Sequence, residues 1–478
     1  MVNTLPFLSF IPAHVLMGCA ILFFFLGKVV PGLKKLPVGL FLAIILVAAF
    51  ILEATGSGAR EIFFDLIVVD AFSRMVNQLF FIVIAVTAIM MVYSDELKKE
   101  ITWETYGFLA TIGLGMMLMA SSRHLLMAAL AIELVSIPSY VLVALNSRLP
   151  ASREASLKYI LFGSFASGIM LYGMSLLFGM TGSLRFEQIW GTLAQYSIVD
   201  SPIYFLAVLM TLAGMTFKIA AVPFHFWCPD AYQAAPTPVT AFLSTAPKVA
   251  GVALLVRFFA SHLSIQADSL TTILTIIAIA TMTVGNLAAL RQTDIKRLLA
   301  YSSISHAGFL LMGIAVLNPA GRQAVYFYIP VYLLMNLGAF MAVIHLAGKE
   351  ASYRIDSFAG RVKQAPFVVI GFTVCLFSLA GIPPFAGFIA KFYLFKVVIE
   401  QQLYALAVIA GLNSVISLYY YVNVIKVMII DSDERTAVLE TRGDFPTLFV
   451  VACAIPLVVF GVYWRHLLEW VEHVTLLL

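Results

Sequence analysis

The chain has 478 residues, of which 62% are hydrophobic and only 11% charged. No water-soluble domain can hide that much apolar surface, so the composition describes a polytopic membrane protein and excludes a soluble enzyme. The net charge of +4 gathers into no basic patch, and nucleic acid is excluded as a partner.

A helix that crosses a bilayer needs about 20 mainly apolar residues. The first apolar run, 7–30, is too long for a signal-peptide core and reads as a span. Thirteen more follow, near 36–54, 71–93, 102–120, 123–145, 155–180, 202–226, 237–261, 267–289, 294–317, 323–347, 366–396, 402–429 and 446–463. The expected class is therefore all-α, a polytopic membrane protein of about 14 transmembrane helices. Polar connections are short, the longest being 348–364 and 430–445, with a mildly polar link at 181–201.

The basic residues sort by topology. Of the 29, 17 fall in the loops of one side and eight on the other; excess Lys and Arg marks the cytoplasmic side, so both termini are expected outside. Four remain inside apolar runs: Lys158, Lys218, Lys248 and Lys391. Among acidic residues only Glu133, in "MAALAIELVSIPSY", lies at mid-span. A charge at the bilayer centre costs at least about 2.5–3.5 kcal/mol, so such residues face a polar interior and do work. Burial disfavours an ammonium and a nearby carboxylate restores it, which makes a buried lysine a switchable proton carrier. Glu133 is the expected partner of Lys218. Lys158, within two turns of its helix start, can also snorkel to the surface. His225 and His306 are candidate relays between lysines, since histidine titrates most readily near neutral pH; His345 reads as a packing residue.

Two spans are interrupted. Pro223 sits in the seventh and Pro383–Pro384 in the twelfth. Proline removes a donor and frees a carbonyl one turn back, which a membrane tolerates only where protein or water satisfies the backbone. Interrupted helices at matching positions of two halves point to a transport site in an inverted repeat. The breaks lie five spans apart, which divides the chain into three N-terminal helices (1–100), a first five-helix unit (101–262), a second and inverted one (263–430), and a last loop, helix and tail (431–478). Cys19, Cys228, Cys375 and Cys453 are widely spaced apolar fillers with no metal or iron–sulfur pattern. Nucleotide-binding and nucleophile motifs are missing as well.

Three stretches, "KIAAVPFHFWCPDAYQAAPTPVTAFLSTAPK", "GNLAALRQTDIKRLLAYSSISHAGFLLMG" and "SLAGIPPFAGFIAKFYLF", resemble the antiporter-like membrane subunits of respiratory complex I. The lysines in "STAPK" and "FIAKFYLF" favour the N type over its L and M siblings, and the likeness runs from about residue 60 onward. It implies a proton-translocating subunit of the membrane arm of an NADH-quinone oxidoreductase, driven by quinone reduction elsewhere. By position Glu133, Lys218, Lys248 and Lys391 match the family's buried charged residues, and Lys158 a lysine associated with the Glu–Lys pair; His225 and His306 fall in its motifs. The resemblance implies K-type and M-type neighbours, a lateral helix from the L-type subunit, and a bacterial inner membrane. It implies no cofactor on this chain, with quinone, FMN and iron–sulfur clusters held by the parent complex. Cys228 and Ala234 depart from the family pattern, where threonine and glycine are expected. A stand-alone cation/proton antiporter is the alternative, and a structural spacer the third reading.

Overall fold

The computed structural model describes residues 15–16, 18–22, 25–26, 38–54, 60–63, 65–97, 102–194, 202–260, 267–348, 352–431 and 445–476. Most of the first expected span, the N-terminus, and the loops at 195–201 and 432–444 lie outside these residues.

The described chain is almost entirely helical. In order it forms α1 (Val38–Ala54), α2 (Ala71–Tyr93), α3 (Trp103–Ser121), α4 (Leu125–Val143), α5 (Pro150–Thr181), α6 (Phe186–Leu193), α7 (Pro202–Lys218), α8 (Trp227–Ala234), α9 (Thr237–Ser244) and α10 (Ala246–Ala260). Then come α11 (Ala267–Ala289), α12 (Ile295–Ala315), α13 (Pro319–Ala347), α14 (Pro366–Ala380), α15 (Ala386–Glu400), α16 (Tyr404–Ile429), α17 (Phe445–Val462) and α18 (Arg465–Leu476). Among the described residues nine helices are long and apolar enough to cross a membrane, α9 and α10 counting as one; α7 and α14 are shorter apolar helices. The chain is a multi-pass membrane protein. Every expected span from the second onward contains a helix or a helix pair.

One feature departs from the all-helical expectation, and two expected links prove to be structured. A small antiparallel hairpin pairs Arg60–Ile62 with Ile67–Val69 ahead of α2. The mildly polar link at 181–201 contains the short helix α6, whose Phe186, Ile189, Trp190 and Leu193 are buried. The described part of the next polar connection, 352–364, is packed: it forms 3₁₀ turns at Ile355–Phe358 and Arg361–Lys363, and Ile295 N–H donates to Tyr353 O.

Helices α9, α10, α12 and α13 are buried nearly all round, whereas α5, α16 and α17 keep broad apolar faces outward. In lipid, apolar area alone gives helices little reason to associate, so close packing of small residues does the work. The α11–α12 pair shows it: a Cβ on Gly285 would lie 2.7 Å from Ser305 N, and one on Gly308 2.7 Å from Met282 N. Each glycine admits the other helix's backbone.

Both expected breaks are present, and each contains a cis proline bond, Val222–Pro223 and Pro383–Pro384. Proline alone does not cause them. Pro138, Pro330 and Pro456 lie inside α4, α13 and α17 without interrupting those helices. Near Pro138, the Ser136 and Ser139 hydroxyls donate to the carbonyls of Ile132 and Val135.

Candidate functional site

The prolines of both breaks, Pro223, Pro383 and Pro384, are exposed, and the backbone groups beside them find protein partners. After α7 the chain turns through Ala220 (φ +57°). Val222 N–H donates to Thr281 Oγ1 on α11 at 3.1 Å, and Trp227 Nε1–H to Phe217 O at 3.2 Å. After α14, Gly381 (φ +83°) ends the helix, and Gly387 N–H at the start of α15 donates to Ser378 Oγ at 3.0 Å.

Lys218 is the last residue of α7 and is 1% exposed. Its ammonium donates to Ser136 Oγ of α4 at 3.0 Å. Glu133, one turn earlier on α4, is half-buried and accepts a hydrogen bond from Ser167 Oγ of α5. Its carboxylate acts on Lys218 electrostatically without touching it. The expected Glu133–Lys218 pair is thus corrected in detail. The two charges are neighbours, and a serine hydroxyl occupies the direct contact because position 136, not 133, meets the end of α7.

Lys248, 2% exposed on α10, donates to Ser303 Oγ of α12 at 2.6 Å and lies 5.5 Å from the centre of the Tyr232 ring. His306, one turn beyond Ser303, is buried, and its Nδ1 shares a 2.6 Å hydrogen bond with Tyr328 Oη. It lies within electrostatic reach of both Lys248 and Lys391. Lys391, 4% exposed on α15, reaches back across the second break. It donates to Leu379 O at 3.1 Å and Ala380 O at 2.9 Å, with the Phe309 ring 4.6 Å away. These carbonyls end α14, where the helix dipole is negative and favours a cation.

Lys218, Lys248 and Lys391 thus each donate to a neutral oxygen, and among the described residues none of them has a carboxylate at salt-bridge distance. Such a lysine keeps its hydrogen bond as ammonium or as amine, because both forms carry N–H groups. The set runs from α4 and α7 through α10 and α12 to α15.

The family described as "NADH:quinone oxidoreductase/Mrp antiporter, TM" matches residues 122–417, a stretch that contains every one of these groups. NADH-quinone oxidoreductase subunit N 2 of Sorangium cellulosum is 42% identical over 439 residues, 87% of this chain and 86% of the relative. The chain belongs to the NADH-quinone oxidoreductase subunit N family. A chain of respiratory complex I from Thermus thermophilus has the same fold, with a TM-score of 0.80, 30% identity and coverage of 96% of this chain and 98% of that one. A chain of the Mrp complex from Dietzia sp. DQ12-45-1b shares the fold alone, with a TM-score of 0.81 at 20% identity, covering 98% and 97%.

Not every lysine that the subunit N resemblance singles out is buried. The Lys158 side chain is 42% exposed and pairs with Glu154 at 2.7 Å and Asp230 at 2.9 Å. This departs from the expectation of a buried lysine in an apolar span. α5 begins at Pro150, so Lys158 lies two turns in and its flexible stem reaches the polar end. Asp230 in turn pairs with Arg297 at 2.7 Å. His225 is buried beside the first break, and its Nδ1 has no hydrogen-bond partner among the described residues. It lines a cavity of about 580 Å³ together with Lys158, Asp230, Arg297 and Tyr301. His345 is buried near the end of α13.

Five buried charges were not legible as such in the sequence: Glu53, Asp70, Arg257, Lys296 and Arg361. Lys296, placed in a loop by its position at a span end, is 2% exposed. Asp70 and Arg257 form a buried pair at 2.5 and 2.7 Å, and Arg257 Nε–H also donates to Ala120 O. Asp70 caps α2, whose start is itself inside the protein. A span-end position, or for Arg361 one in a polar connection, hides such charges from hydropathy, because loops are expected there.

Proposed function

We propose that the chain is a proton-translocating membrane-arm subunit of an NADH-quinone oxidoreductase, in a bacterial inner membrane with both termini on the periplasmic side. The reading rests on the row of buried lysines held by neutral oxygens, with His306 between two of them. Quinone reduction, and the FMN and iron–sulfur clusters that serve it, belong to other chains of the parent complex, while K-type and M-type subunits are its neighbours in the membrane arm.

In this scheme a change at Glu133 alters the proton affinity of Lys218, whose ammonium it already acts on. One proton then moves from Lys218 to Lys248, on past His306 to Lys391, and out to the positive side. Each charge moved against the field costs about 2.3 kcal/mol per 100 mV, so the drive must come from outside this subunit. The paired interruptions at Pro223 and Pro383–Pro384 support two inverted five-helix units, residues 101–262 and 263–430. The exposed pairing of Lys158 with Glu154 and Asp230 favours a place at the mouth of the route rather than within it.

The test is Lys248→Met in the assembled complex within inverted membrane vesicles. NADH-driven quenching of a pH-sensitive acridine dye is expected to fall at least fivefold, while NADH–ferricyanide reductase activity stays at the wild-type level. Undiminished pumping would sink the reading and leave a structural spacer. The likeness to the Mrp complex keeps a stand-alone cation/proton antiporter as the second reading, which transport by the purified single subunit would favour.

A further inference from the structure

Beside Lys158 a second cavity, of about 610 Å³, opens to the surface at the end of the molecule where α12 begins. Glu96, Asp230, Lys296 and Tyr353 stand in its wall. Glu96 is fully engaged: it accepts from Thr237 N–H at 3.0 Å, from Thr237 Oγ1 at 2.6 Å and from the Tyr353 hydroxyl. It therefore fixes the start of α9, the helix that follows α8.

Lys296 is treated quite differently from its neighbour. Arg297 is partly exposed and bound to Asp230 at 2.7 Å and Gln233 at 3.0 Å. Lys296 turns inward, donates to Ala235 O at 2.5 Å and lies 4.5 Å from the centre of the Tyr353 ring. Among the described residues no carboxylate is within salt-bridge distance of it; Glu96 and Asp294 act on it from further away. Asp230, Glu154 and Lys158 form the far wall, where both carboxylates pair with Lys158 and Asp230 pairs also with Arg297, so two cations match two anions. The nearby Arg354–Asp356 pair is exposed and closed on itself at 2.6 Å, and the guanidinium holds the Asp356 carboxyl below its ordinary range.

Lys296 thus has the signature of Lys218, Lys248 and Lys391: burial, and a neutral oxygen for a partner. It differs from them in bordering a cavity roomy enough for many waters. It also sits on their route. Lys296, Ser303 and His306 fall on one side of α12, and at 1.5 Å per residue Ser303, the partner of Lys248, lies about 10 Å further along. Tyr232 lies beneath the Lys248 ammonium, and the Thr240 hydroxyl contacts both Tyr232 O at 2.9 Å and, at 3.4 Å, Ala235 O, the acceptor of Lys296.

We propose that Lys296 is the proton-loading residue of this cavity, taking a proton from water there and passing one along the inner side of α12 to Lys248. The step is a proton transfer only. A neutral Lys296 amine gains a proton from a hydrated proton in the cavity; it then releases one through water and hydroxyl relays to a neutral Lys248 amine, and no electrons move. The proposal rests on the reading of this chain as a proton carrier. It supplies a loading point for Lys248 separate from Lys218.

The deciding variants are Lys296→Met and Lys296→Arg in the full complex, assayed in inverted vesicles. Arginine can still donate to Ala235 O, but it does not give up its proton. Both variants are expected to retain NADH–ferricyanide reductase activity and to lose at least half of the dye quenching per NADH oxidised. A charge clamp on Ala235 would be restored by arginine, so an arginine variant that pumps at the wild-type ratio overturns the proposal. If the methionine variant fails to assemble, the arginine variant decides alone; if neither assembles, Lys296 is structural and the proposal fails. Lys248→Met separates the two levels. Normal pumping there defeats the proton-carrier reading itself, whereas loss there with a normal Lys296→Arg defeats only the loading role.

Discussion

At the first break, between α7 and α8, the freed backbone groups are met by surrounding side chains, Thr281 and Trp227, and Lys218 turns away to Ser136 on α4. At the second, between α14 and α15, Lys391 itself satisfies the backbone by binding Leu379 O and Ala380 O. The first lysine is held by side chains and has a carboxylate nearby. The second is held by main-chain dipoles. Lys218 therefore answers to a side-chain charge nearby, whereas Lys391 answers to the main chain.

Substituting both lysines with methionine breaks this symmetry most sharply. Lys391→Met is expected to abolish pumping and also to lower the amount of assembled complex on native gels, since two buried carbonyls lose their donor at about 1–3 kcal/mol each. Lys218→Met is expected to abolish pumping with assembly near normal, because the Ser136 hydroxyl keeps its own bond to Ile132 O at 2.6 Å. Equal assembly of the two variants would erase the distinction. A smaller effect is expected from Glu133→Gln, which retains a partner for Ser167 and removes the charge. The lost attraction, about 1–4 kcal/mol at short range, lowers dye quenching several-fold without abolishing it. Smallest is Thr281→Val, which strands Val222 N–H at the first break. It is expected to cost about 1–3 kcal/mol, read as earlier thermal inactivation with pumping per NADH unchanged.

Much of this is written in local sequence. The spans follow from apolar run length, and α2 and α11 begin and end where the sequence places them. Lys218, Lys248 and Lys391 stand out because apolar residues flank each on both sides. What local sequence leaves open is decided by contact. Pro138 and Pro223 are both prolines in apolar spans, yet only the second is met by a neighbouring helix that accepts the opened backbone. Lys158 lies two turns into α5 and Lys296 at the very start of α12, yet the deeper one reaches Asp230 at the surface and the other is covered by Tyr353 from a connection that itself looks polar. Ser136 rather than Glu133 meets Lys218 because of how α4 is rotated against α7, which no run of residues records.

The mutual insertion of Gly285 and Gly308 has a mechanical consequence. With backbone against backbone there is no side-chain layer to shear, so α11 and α12 translate as one rod. α12 supplies Ser303 to Lys248 and places His306 beside it, while α11 supplies Thr281 to the first break. A displacement of that rod would therefore retune the Lys248 contact and the hinge after Lys218 in a single stroke.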